Sequence, residues 1–195
     1  MIDNLAQGVH AFTSNVFYVG GDRPVVVDPG ANFDVLDRLE TRPDPEAIIV
    51  THTHPDHVGN LEAIKEAYGI DAWGFDTTQD GIDHALSDED HVRLGDHEYL
   101  ALHTPGHAPD HLCLYAETPG VLFAGDLVFQ NGGFGRTDLP GADHDTLIDS
   151  IERLRSLVAE DLGELHVGHG PSVMNEPYGH IELAARSARV AGGRA

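Results

Sequence analysis

A chain of 195 residues is long enough to bury a sizeable core as one domain spanning 1–195, and its single cysteine, Cys113, excludes an intramolecular disulfide framework. With 33 Asp plus Glu against 11 Lys plus Arg, the formal charge of −22 argues against nucleic acid as a partner, because phosphate binding draws on cations that are scarce here. No apolar run approaches the roughly 18 residues of a membrane span, and no basic stretch, apolar run and small-residue cleavage site mark the N-terminus; the expectation is a cytoplasmic protein that acts on a small molecule.

Short β-type runs come first, over residues 9–13, 16–19 and 25–27, the last ending at the turn Asp28-Pro29-Gly30. Residues 33–39 carry a short helical pattern, 47–51 an apolar strand, and 58–68 helical spacing stopped by Gly69. Strands are expected over 99–102, 112–115 and 121–123. An amphipathic helix follows over 147–158, with Ile148, Ile151 and Leu154 inward, then a short strand over 165–167 and a closing helix over 178–190. Strands leading into helices in both halves predict a layered α/β architecture with helices outside.

The segment Thr51-His52-Thr53-His54-Pro55-Asp56-His57 places three histidines and an aspartate within six positions, directly after an apolar strand. Histidine seldom crowds for packing reasons, and neutral imidazole with carboxylate suits Zn, Fe or Mn. Three later stretches share the setting: Thr104-Pro105-Gly106-His107, Phe123-Ala124-Gly125-Asp126 and Val167-Gly168-His169-Gly170. Each ends an apolar strand with a glycine followed by a ligand type, and loops at one sheet edge would bring them together.

His-x-His-x-Asp-His followed by single His, Asp and His residues at these intervals resembles the metallo-β-lactamase superfamily. Thr-Pro-Gly-His-x-x-x-His at 104–111 and Gly-Asp at 125–126 look like its glyoxalase II branch, the hydroxyacylglutathione hydrolases and their single-domain relatives. The resemblance implies an αββα sandwich of two mixed β-sheets flanked by helices. It implies two divalent metal ions, Zn before Fe or Mn: His52, His54 and His107 on one, Asp56, His57 and His169 on the other, and Asp126 bridging. It implies a metal-bridging hydroxide that attacks a thioester carbon, with Asp56 orienting it and a metal ion stabilising the oxyanion.

Around this set, Asp28 is a candidate acceptor for a ligating histidine's ring N–H or a plain turn residue, and His111 either supports the site or begins a strand. Arg136, in the loop Gly135-Arg136-Thr137-Asp138, is a candidate substrate clamp or a partner for Asp138. Cys113, between Leu112 and Leu114, is expected to be buried and inert. His10, His84, His91, His97, His103, His144, His166 and His180 lack motif context and are expected to be surface or structural.

Full glyoxalase II enzymes carry a C-terminal helical region that grips glutathione, whereas 26 residues follow His169 here. A thioester of another small thiol, or a generic acyl thioester, is therefore the expected substrate. The alternative within the superfamily is an iron-dependent persulfide dioxygenase, similar in Gly-Arg-Thr-Asp at 135–138, with His52, His107 and Asp126 on one iron; Leu139-Pro140 departs from that branch. Lactone or phosphodiester hydrolysis and a non-catalytic metal-binding protein are further alternatives. The dispersed acidity is read as adaptation to a high-salt cytoplasm, with a surface for a cationic partner as the competing reading; oligomeric state is left open.

Overall fold

The computed structural model describes residues 1–193. In chain order the elements are β1 (Ile2–Asn4), β2 (Phe17–Val19), β3 (Val25–Val27), α1 (Val35–Leu39), β4 (Ala47–Ile49), α2 (Pro55–Val58), α3 (Leu61–Tyr68), β5 (Ala72–Gly74), β6 (His84–Ala85), β7 (His91–Leu94) and β8 (His97–His103). They continue with β9 (Leu112–Ala116), β10 (Val121–Phe123), α4 (His144–Leu157), β11 (Glu164–His166) and α5 (Pro177–Ala191), and a single 3-10 turn lies at Gln130–Gly132.

Two mixed sheets result. The first runs β1-β2-β3-β4-β5-β6, antiparallel up to β3 and parallel from there on; the second runs β11-β10-β9-β8-β7, with β10 and β11 parallel and the rest antiparallel. Strand residues alternate between faces, and here both faces are covered. Phe17, Val25, Val27 and Ile49 meet Tyr99, Leu112, Leu114 and Phe123 between the sheets. Tyr18, Val26 and Ile48 point outward to Val35, Leu39, Leu61 and Ile64 of α1 and α3. On the other side, Leu102, Cys113, Tyr115 and Leu122 pack on Leu147, Ile151 and Leu154 of α4 and Ile181, Ala184 and Ala188 of α5. That double burial is why the strands are continuous apolar runs rather than alternating ones, and the result is the expected sandwich with helices outside.

Three expectations are corrected. Residues 9–13 form no strand. Leu5 N–H bonds to Val16 O at 2.7 Å, and Asn4 Oδ1 takes the N–H groups of Ala6 and Val16. The chain therefore leaves the sheet after β1 and re-enters at β2, and 9–13 belong to the excursion between them. The expected helix over 58–68 is two helices, α2 and α3, parted at Gly59-Asn60, where Asn60 N–H bonds to Gly30 O at 2.8 Å. The short strands β5, β6 and β7, absent from the sequence reading, complete the sheet edges.

Candidate metal centre

The strands β8 and β10 are both antiparallel to β9 and so run parallel to each other and to β11. The loops after β8, β10 and β11 therefore emerge at one edge of the second sheet, and those after the parallel pair β3 and β4 meet them from the first. This topology gathers His52, His54, Asp56, His57, His107, Asp126 and His169 from four separate stretches. Ligand-type atoms of His52, His54 and His107 lie within 4.8 Å of one another, and so do those of Asp56, His57 and His169, and of His52, His57 and Asp126.

The rings of His52, His54 and His107 stand mutually edge-on, with centroids 4.6, 4.6 and 5.0 Å apart and interplanar angles of 82°, 88° and 81°. Packed aromatic rings also meet edge-to-face, so what sets this trio apart is that a nitrogen of each ring comes within 4.8 Å of the others. The Asp126 carboxylate sits between the groups, Oδ1 at 3.5 Å from His57 Nε2 and Oδ2 at 3.5 Å from both His107 Nε2 and His169 Nε2. Those separations are long for hydrogen bonds. They match two donors on a tetrahedral ion with bonds of about 2.0–2.2 Å, which stand roughly 3.3–3.6 Å apart.

Burial supplies the test of fit. Of the buried side-chain polar atoms left without a hydrogen-bond partner among the described residues, four are His52 Nε2, His57 Nε2, His107 Nε2 and Asp126 Oδ1; the fifth is Ser14 Oγ. Orphaned buried polar atoms are rare and costly. Four that converge are explained by cations between them, and the donor set of imidazole nitrogens and carboxylate oxygens suits divalent ions.

The rings of His52, His57 and His107 are each held by the other nitrogen. Asp28, at the end of β3, is buried, and its Oδ2 accepts His57 Nδ1–H at 2.9 Å and the Thr51 hydroxyl at 2.8 Å, while Oδ1 accepts Thr51 N–H at 2.7 Å. Because the Thr51 hydroxyl donates to Asp28, it accepts from His52 Nδ1 at 3.1 Å. His107 Nδ1–H donates to Arg136 O at 2.8 Å. Such contacts fix tautomer and ring orientation and turn Nε2 inward. His111 lies just before β9; its Nε2 accepts the N–H of Asp126 at 3.0 Å, so its Nδ1–H faces the Thr104 hydroxyl at 2.9 Å. It supports the carboxylate loop instead of adding a ligand. Asp28 and His111, each with two readings in the sequence, thus both touch the ligand set.

The charges of the polypeptide follow this geometry. Burial disfavours a charged His57, yet Asp28 and Asp126 outweigh it and raise its pKa to about 10. Burial likewise works against ionised Asp126, and the contact with His57, aided by His169 and His107, brings it down to about 2. Burial drives His52 well below the usual histidine value and His111 to about 3. Asp56, half-buried, is lowered despite burial by its contact with His169, whose Nε2 lies 3.0 Å from Oδ2.

The centre forms the floor of a cavity of about 760 Å³, with Phe12, Phe129, Phe134, Leu139 and Pro140 along its walls. Arg136 lines it too; its guanidinium makes two 2.7 Å hydrogen bonds to Asp138, and its carbonyl holds His107. Cys113 is buried, and burial pushes its thiol up to about 12. Sequence reasoning missed Thr51, whose hydroxyl links Asp28 to His52, and Asn15. Asn15 donates its backbone N–H to Gly168 O and its side-chain amide to Val167 O and Gly170 O, all at 2.7 Å, clamping the loop that carries His169. Thr51 had one available signal, its place beside His52; Asn15 had none.

Known proteins resemble this chain in sequence and fold. Residues 10–80 and 73–169 match the profile of the Metallo-beta-lactamase superfamily. The chain is 30% identical to the "Probable metallo-hydrolase YqgX" of Bacillus subtilis over 80% of its own length and 83% of that protein. It is 31% identical to the "Hydroxyacylglutathione hydrolase GloC" of Haemophilus influenzae over 83% of its length and 88% of that protein. Among solved structures, TTHA1623 in a di-iron-bound form superposes with a TM-score of 0.74 at 31% identity, covering 95% of this chain and 97% of that one. With the sandwich, the convergent donors and the matched residues in agreement, the chain belongs to the metallo-β-lactamase superfamily, among relatives named as metallo-hydrolases and hydroxyacylglutathione hydrolases.

Proposed function

We propose that the protein is a metal-dependent hydrolase of small-thiol thioesters. The observation that carries this reading is the clustering of buried, unpartnered His52 Nε2, His57 Nε2, His107 Nε2 and Asp126 Oδ1, with His107 and Asp126 opening onto the cavity. His52, His54 and His107 would hold one divalent ion, Asp56, His57 and His169 a second, and Asp126 would bridge them. Two such ions, zinc first with iron or manganese as alternatives, supply a nucleophile from water near neutral pH and polarise the carbonyl under attack.

The chain's own residues do the rest. Asp56 and Asp126 are held ionised, which leaves the loaded site with a small positive excess that favours an oxyanion over a neutral carbonyl. Asp56 faces the cavity from the first turn of α2, where its carboxylate would orient the attacking water and carry a proton from it to the departing thiolate. In balance, water adds to the acyl carbon, the C–S bond breaks, and a carboxylic acid and a free thiol leave. Arg136 lines the cavity that would receive the substrate. The relative named hydroxyacylglutathione hydrolase supports a thioester over a lactone or phosphodiester.

Metal analysis coupled to thioester and persulfide assays decides the matter. The expected result is two metals per chain and thiol release independent of oxygen; oxygen consumption with one iron per chain would replace this reading with the persulfide dioxygenase. In Asp126→Ala, the second metal and turnover are expected to be lost together, and full metal content with full activity would remove Asp126 from the bridge.

A further inference from the structure

The walls of the metal cavity differ in chemistry from its floor. His54, Asp56, His107, Asp126 and His169 make the floor, and Phe12, Phe129, Phe134, Leu139 and Pro140 rise around it. These apolar side chains come from the loop before β2 and from the loop after Asp126. Phe12 is 75% exposed, its ring stacked on His169 at a centroid distance of 6.0 Å and 17°. Its backbone is not loose: the Asn32 side-chain amide donates to Phe12 O at 2.7 Å. Phe129 also borders His169, its ring centroid 6.4 Å away. An exposed phenyl held in place beside a polar centre marks a contact surface more than a packing one.

The charge at the mouth points the same way. Among the described residues, Arg136 is the one lysine or arginine lining this cavity, and its guanidinium makes a two-point contact with Asp138. Against these walls, a thiol carrier with carboxylates would leave water without gaining an uncommitted lysine or arginine of the described residues in exchange, which costs free energy; an uncharged alkyl group leaves water favourably. The cavity's 760 Å³ falls within the range of pockets that enclose a small organic ligand.

We propose that the substrate is an uncharged thioester with an apolar acyl chain of medium length, laid along Phe12, Phe129 and Leu139 while its carbonyl meets the floor. This rests on the hydrolase reading and specifies what that hydrolase selects. The test is a series of acetyl, butyryl and hexanoyl thioesters on N-acetylcysteamine, and the same acyl groups on glutathione, given to the metal-loaded protein. Specificity, kcat/KM, is expected to rise by about fourfold per added methylene until the walls are covered, and each glutathione thioester to fall well below its neutral counterpart.

Phe12→Ala is expected to flatten the dependence on chain length. Equal or better use of the glutathione thioesters, or a rate independent of chain length, would overturn the proposal. A separate readout is binding of two unreactive thioethers, S-hexyl-N-acetylcysteamine and S-hexylglutathione, by calorimetry. Absence of thiol release from every thioester would defeat the hydrolase reading, and the calorimetric preference would still decide the apolar mouth: tighter binding of the neutral thioether upholds it, and tighter binding of the glutathione form ends it.

Discussion

Asp28 serves two histidines with one carboxylate, directly for His57 and through the Thr51 hydroxyl for His52, so it aligns donors assigned to both ions. It does so at a backbone φ of 54°, a left-handed conformation that aspartate tolerates better than most residues and that strains the turn. Asp28→Ala is expected to lower metal affinity by about 10–100-fold, read by chelator competition, with the fold intact by circular dichroism; unchanged affinity would reduce Asp28 to a turn residue. The ligand types were legible in the sequence because three histidines and an aspartate in six positions have no packing explanation. Thr51 and Asn15 were not, because a short polar side chain makes its decisive hydrogen bonds to groups that only the fold brings near.

At the scale of elements, the loops must pass very close to the ligands they carry. A Cβ built on Gly168 would collide with Asp126 Oδ1 and lie 2.9 Å from His57 Cε1. Gly168→Ala is therefore expected to displace the bridge, costing metal binding while leaving the sheets folded. Gly179, in the first turn of α5, has nothing within 4 Å of its added Cβ. Gly179→Ala is expected to stabilise the protein by about 0.5–1 kcal/mol without touching metal content, as thermal melting and metal analysis would show; loss of metal in both variants would mean the centre responds to any change in the chain. Strands buried on both faces, such as β3, β4, β9 and β10, announced themselves as apolar runs. The edges did not. The strand β6 pairs only two residues, His84 and Ala85, and β7 alternates exposed His91 and half-buried Arg93 with buried Val92 and Leu94.

The molecule as a whole carries a charge of −22, and close carboxylates repel unless salt intervenes. Raising KCl from about 0.1 to about 2 M shortens the Debye length from about 10 Å to below about 3 Å. Tm is expected to rise with KCl, each 1 kcal/mol of stabilisation from this screening corresponding to about 2–4 °C for a chain of this size. A melting temperature indifferent to KCl would detach the acidity from salt tolerance and favour a cationic partner. Among the described residues, no helix is long and apolar enough to cross a membrane. The clamp made by Asn15 also ties the segment before β2 to the loop after β11, its amide reaching Val167 and Gly170 across 152 and 155 positions. During synthesis the His52 cluster leaves the ribosome long before His169 and its clamped loop can exist. The cluster of donors is therefore completed only after the loop at 167–170 has emerged, so loading of a full metal pair would report on the folding of everything between Asn15 and Gly170.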